Sequence, residues 1–184
     1  MEVMFEAFNL GPRLWLFGAG HVGQALARTL QGTTFEVTTI DTRHEWLQQL
    51  PAAVARCASE WDDFVRNHDV GARPTYAVVM THEHKLDEDI VAGLTREPLV
   101  YLGLIGSEAK WQRFKDRLQV RGLSSAELSR VRCPIGVGKF GKAPQEVAIS
   151  VAAELLSVAY QPDVSKTRGD GGTLAIRPAT TVHP

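Results

Sequence analysis

Apolar and polar positions alternate along this chain in blocks that predict strands and helices in turn. Leu14-Trp15-Leu16-Phe17 is a short apolar run that leads through glycines into an amphipathic stretch ending near Leu26, so it predicts strand, turn and helix. Thr34 to Ile40 predicts a second strand that ends at Asp41, and the segment from Ala52 to Ala58 a short third one after Pro51. Tyr76-Ala77-Val78-Val79-Met80 predicts a buried strand behind the turn signal Gly71-Ala72-Arg73-Pro74. Leu86, Ile90, Val91 and Leu94 recur at helical spacing and predict a helix over Lys85 to Arg96, which Glu97-Pro98 breaks. A further strand is expected over Leu99 to Ile105, with Gly103 inside it, followed by a helix whose apolar face carries Trp111, Phe114 and Leu118.

The last predicted helix starts at Pro144, a residue suited to a first helical turn. It carries Val147, Ile149, Val151, Leu155, Leu156 and Val158, with only a narrow polar stripe of Glu146, Ser150, Glu154 and Ser157. A helix apolar over most of its circumference is buried on more than one side, so it either lies deep against the sheet or turns its outer face to a second subunit.

Alternating strands and helices predict an α/β fold, a Rossmann-like, doubly wound and mostly parallel sheet. We expect it to occupy residues 1–160, leaving 161–184 as a flexible polar tail rich in Gly, Thr and Pro. At 184 residues the chain is long enough to bury a sizeable core. A formal net charge of −1 supplies no global field for nucleic acid or a membrane surface, and no apolar run has the length of a membrane span. We therefore expect a cytoplasmic protein, in which Cys57 and Cys133 are free thiols.

In a sheet of this class ligands bind beyond the carboxyl ends of the strands, and that rule selects the candidate residues. Gly18, Gly20 and Gly23 stand at the G-x-G-x-x-G spacing, with His21 and Val22 at the start of the helix. The expected division of labour is a tight turn, close approach of backbone to a phosphate, and close helix–strand packing. Asp41 lies 18 positions beyond Gly23, where a ribose-binding carboxylate belongs, unless it serves as the N-cap of the next helix. Arg43 beside it adds a charge for a phosphate.

After the Met80 strand, Thr81 and His82 are placed to face the crevice, while the pattern Thr81-His82-Glu83-His84 lacks the further partners a metal site needs. Gly106, Ser107 and Lys110 form a third strand-to-helix turn suited to an anion, with Arg117 and Arg121 assigned to a solvated face. Cys133 opens a glycine-rich loop that is expected to cover the crevice, and it is suited to sulfur chemistry only where its surroundings lower its pKa. No catalytic triad or acid/base carboxylate pair stands out, so these residues describe a binding module before an enzyme.

Together, Phe17-Gly18-Ala19-Gly20-His21-Val22-Gly23, Ile40-Asp41-Thr42-Arg43 and Thr81-His82-Glu83-His84 with Leu86-Asp87 resemble the Rossmann domain of the XdhC/CoxI family of xanthine dehydrogenase accessory proteins. The resemblance continues, in order, through Leu102-Gly103-Leu104-Ile105-Gly106-Ser107 with Lys110, Pro134-Ile135-Gly136 and Gly141-Lys142-Ala143-Pro144-Gln145-Glu146-Val147-Ala148. It implies a chaperone that binds the molybdopterin form of the molybdenum cofactor and helps load it into xanthine dehydrogenase or a related molybdenum hydroxylase. It also implies contact with a cysteine desulfurase, self-association into a homo-oligomer, and a separate N-terminal-domain chain as a partner. Where the family often has basic residues directly after Gly-Ser, this chain has Glu108-Ala109. An NAD(P)-dependent oxidoreductase and a nucleotide-sensing regulatory domain are the alternative readings of the same fold.

Overall fold

The computed structural model describes residues 11–138 and 140–160, so the polar tail expected over 161–184 lies outside the described residues. Six strands form one all-parallel sheet: β1 (Arg13–Phe17), β2 (Glu36–Ile40), β3 (Ala55–Cys57), β4 (Thr75–Val79), β5 (Tyr101–Leu104) and β6 (Val131–Arg132). Their spatial order is β3-β2-β1-β4-β5-β6, so the winding reverses between β1 and β4. At that switch point the loops leave in opposite directions and open a crevice at the carboxyl edge.

The helices are α1 (His21–Thr29), α2 (His44–Leu47), α3 (Trp61–Arg66), α4 (His84–Leu94), α5 (Glu108–Val120), α6 (Ser125–Ser129) and α7 (Pro144–Ala159). The sheet has two apolar faces because its strands alternate. Leu14, Leu16, Tyr76 and Val78 pack with Leu26, Leu47, Val151 and Leu155 on one side. Trp15, Phe17, Ala77 and Val79 pack with Phe64, Ile90, Phe114 and Leu118 on the other. Every position of β4 is buried, as a central parallel strand requires.

The expected elements all form, with ends shifted by at most three residues. The pattern did not predict α2, α3, α6 or β6, each at most six residues long. Segments that short carry too few periods to register against their surroundings. The glycine within β5 has a packing reason, since the Tyr101 ring leans along its own strand and crosses the space a Cβ on Gly103 would fill, 2.6 Å from the ring.

Two expectations about the C-terminal third are corrected. The loop from Cys133 does not cover the crevice; it runs back along α7 toward the amino edge. Val137 N–H donates to Ser150 O (3.3 Å), Ser150 Oγ bonds Gly138 O (3.3 Å), and Gln145 at the foot of α7 reaches Thr29 at the end of α1 (2.9 Å). Helix α7 therefore runs antiparallel to α1. Its polar stripe is split: Glu146 and Ser157 are exposed, but Ser150 and Glu154 are buried because they hold this strap, with Gly136 N–H donating to the Glu154 carboxylate. Gly136 takes a positive φ of 109° there, and a Cβ would collide with Ser150 Oγ. The outward face of α7 instead exposes Ile149, and Tyr160 at its end.

Candidate functional site

The glycine turn is built from β1 outward. Gly18 adopts φ 113°, which only glycine holds without strain, and its missing side chain lets the turn lie against Met80 O. Gly23 brings α1 down onto the Gly18 carbonyl, leaving no room for a Cβ. Gly20 differs from both. It sits at the N-cap of α1 with an ordinary φ of −66°, and nothing lies within 4 Å of where its Cβ would be. No side chain caps this helix, and the first intrahelical bond is Gln24 N–H to Gly20 O. Helix geometry therefore leaves the N–H groups of His21, Val22 and Gly23 without intrahelical partners, in the arrangement that suits an anion. His21 is exposed and meets Trp46 edge-on at 5.0 Å.

Asp41 follows β2 and turns its carboxylate back to this turn. Its Oδ2 accepts the Ala19 N–H (2.7 Å) and Arg43 Nη2 (2.6 Å), and its Oδ1 accepts Arg43 N–H (3.0 Å) and Arg43 Nε (2.8 Å). Burial works to raise its pKa, but the hydrogen bonds from Arg43 and the backbone outweigh burial and hold it below the ordinary carboxylate value. Asp41 is not the N-cap of α2; Arg43 occupies that position, and its guanidinium lies 5.2 Å from the Trp46 ring centre.

A small cleft of about 30 Å³ opens beside these groups. Phe17, Ile40, Trp61, Leu86 and Ile90 form its apolar walls, and Asp41, Thr42, Ser59, Glu60, Thr81 and His82 its polar lining. The structure thus brings Gly18, Asp41, Thr81 and His82 to one cavity, as the strand-end rule anticipated. Ser59, Glu60 and Trp61 were missed, although they directly follow β3 and the same rule applied to that strand end would have found them.

Ser107 and Lys110 lie elsewhere, in a groove at the start of α5 with His84 and Arg113. Ser107 Oγ caps α5 by accepting Lys110 N–H (3.1 Å), and Gly106 lets the Lys110 stem pass. The Lys110 ammonium points inward, to Asp87 Oδ2 (2.8 Å) and Ile105 O (3.1 Å). Asp87, 1% exposed, also accepts Thr81 N–H (2.9 Å) and Thr81 Oγ (2.7 Å). The loops after β4 and β5 are thereby tied together under the crevice.

Cys133 is half-buried, and burial pushes its thiol up to about 11, the opposite of what a sulfur nucleophile needs at neutral pH. Among the described residues no three His, Cys, Asp or Glu side chains converge as a metal site, and no helix is long and apolar enough to cross a membrane.

Comparisons with known proteins bear on this arrangement. A family model described as the XdhC Rossmann domain matches residues 14–155. The chain is 30% identical over 187 residues to the uncharacterized protein YqeB of Escherichia coli (strain K12), covering 100% of this chain and 32% of that protein. It is also 30% identical over 154 residues to a probable xanthine dehydrogenase subunit of Bacillus subtilis (strain 168), covering 79% of this chain and 42% of that one. A solved structure described as a xanthine dehydrogenase from Bacillus halodurans matches with a TM-score of 0.71 at 25% identity, over 86% of this chain and 45% of that chain. The chain spans less than half the length of each of these relatives.

Proposed function

This chain belongs to the XdhC family through its Rossmann domain, and on that premise we propose that it binds the molybdenum cofactor, as molybdopterin, during maturation of a xanthine dehydrogenase or related molybdenum hydroxylase. The observation that carries the reading is the uncapped start of α1. There Gly20 faces open space and unpaired N–H groups await an anion, directly beside a cleft walled by Phe17, Ile40, Trp61, Leu86 and Ile90. Molybdopterin combines a flat heterocycle with a phosphate. Apolar walls suit the ring, and the α1 N-terminus suits the phosphate. At about 30 Å³ the cleft is far smaller than the roughly 300–1,000 Å³ of ligand pockets, so the ring would lie across its apolar mouth rather than inside it, with the phosphate over the start of α1.

In this reading the protein holds and shields the cofactor without transforming it. The target enzyme and a cysteine desulfurase are its protein partners. Ile149 and Tyr160 on the outward face of α7, with Val137 and Phe140 on the strap, offer an apolar surface for a homo-oligomer.

The test is anaerobic calorimetry with purified molybdopterin against the full chain and its Gly20→Ala variant. Micromolar binding that Gly20→Ala abolishes, with a melting temperature lowered by no more than about 2 °C, supports the reading. Absence of cofactor binding alongside tight NAD binding would replace it with the dehydrogenase alternative.

A further inference from the structure

Asp41 occupies the place from which a strand-end carboxylate in this fold accepts the hydroxyls of a ribose. A carboxylate has about four acceptor positions, and here four donors fill them: the N–H of Ala19, the N–H of Arg43, and the Nε and Nη2 of the Arg43 guanidinium. Three of the four come from Arg43. The pair is also asymmetric, because the Asp41 side chain is 5% exposed while that of Arg43 is 22% exposed.

The guanidinium keeps a donor in reserve. Its Nη1 makes no hydrogen bond among the described residues. Its central carbon lies 5.2 Å from the Trp46 ring centre, and Trp46 in turn meets His21 at the first turn of α1. Arg43 thus links Asp41, which lines the cleft, to the first turn of α1 through Trp46 and His21.

We propose that Arg43, latched on Asp41, makes this crevice select its ligand by a phosphomonoester and reject one that offers a vicinal diol. A diol has to expel the guanidinium before it reaches Asp41, breaking two charge-assisted hydrogen bonds. A phosphomonoester meets a carboxylate already neutralised by its partner, and the guanidinium has an N–H group left to donate. This inference rests on the crevice being the binding site, and it sharpens what the site recognises. Two sources carry the chemistry, namely the terminal phosphate of molybdopterin and the 2′-phosphate of a nucleotide.

The experiment is calorimetry of the full chain and of Arg43→Ala with three probes, NAD, NADP and molybdopterin. The wild type is expected to bind NADP at least about tenfold more tightly than NAD, or to bind molybdopterin at least about tenfold more tightly than Arg43→Ala does. The first result assigns the nucleotide phosphate as the source and the second the phosphate of the cofactor. In Arg43→Ala the freed carboxylate is expected to gain affinity for NAD. Arg43→Lys keeps the charge but not the two-pronged clamp and should fall between the two, which keeps the test open if the alanine variant folds poorly. Selective NADP binding without molybdopterin binding sustains this inference while the cofactor reading fails. A wild type that prefers NAD, equal affinities in all variants, or no binding of any probe would overturn it.

Discussion

Two buried carboxylates near the carboxyl edge of the same sheet, Asp41 directly after β2 and Asp87 in the first turn of α4, have opposite roles. Asp87 is 1% exposed, and its Lys110 partner has a side chain only 14% exposed. The pair also fastens Thr81 and Ile105 O, so two loops depend on it. Asp41 is almost as buried, but its partner Arg43 stands at the rim with solvent on one side. The difference lies in what leaves when the pair opens. Opening Asp87–Lys110 strands two charges in the interior, whereas opening Asp41–Arg43 releases one guanidinium to water or to a ligand. One pair is a clamp and the other a displaceable latch.

The comparison breaks most readily at the clamp. Asp87→Ala leaves the Lys110 ammonium buried without its counter-charge and the Thr81 N–H unpaired, and is expected to cost about 3 kcal/mol or more, seen as a lowered midpoint in urea unfolding. A midpoint within experimental error of wild type would show that water replaces the carboxylate. The glycines offer the next contrast. Gly23→Ala drives a methyl into the Gly18 carbonyl and should cost about 2 kcal/mol, whereas Gly20→Ala should cost about 0.5 kcal/mol, an N-cap change without a clash. Equal losses at the two positions would show that Gly20 is also structural.

Asp41→Asn keeps two acceptor positions but gives up the charge, and is expected to cost about 1 kcal/mol, well below Asp87→Ala. The same pair gives a pH signature. A carboxylate whose folded pKa is depressed adds stability above its unfolded value of 3.8, and that stability is lost as the pH falls through the folded value. Wild type should therefore lose more stability than Asp41→Asn between about pH 4 and pH 2. Parallel curves would mean that Arg43 does not hold the carboxylate in solution. The smallest expected effect is at Cys133. With its thiol pushed up to about 11, alkylation by iodoacetamide at pH 7.5 should be slower than that of free cysteine. Faster reaction would reopen a sulfur-handling role.

The parts of the fold and site that can be read from the chain are those whose signals are local. The strand, glycine turn and helix from Leu14 to Leu26 lie within thirteen consecutive residues, and each glycine's task follows from its place in that turn. Strand-end residues such as Asp41, Thr81 and His82 are reachable because parallel topology sends every strand's carboxyl end to the same edge. Lys110 reads from the sequence as a free cation at the right turn, because its partner Asp87 lies 23 residues away.

The polar stripe of α7 shows the same limit in the other direction. Ser150 and Glu154 look like a solvent face when only helical period is considered. They are buried because a loop 12 to 18 residues earlier folds back on them, leaving Ile149 outside. Period and turn chemistry act over a few bonds, so the amino-acid order alone was enough to set the α/β class, the crevice edge and most of its candidate residues. Which charges pair, which helix face meets water and whether a carboxylate is clamped or latched depend on contacts between distant segments, and those exist only once the chain has closed on itself.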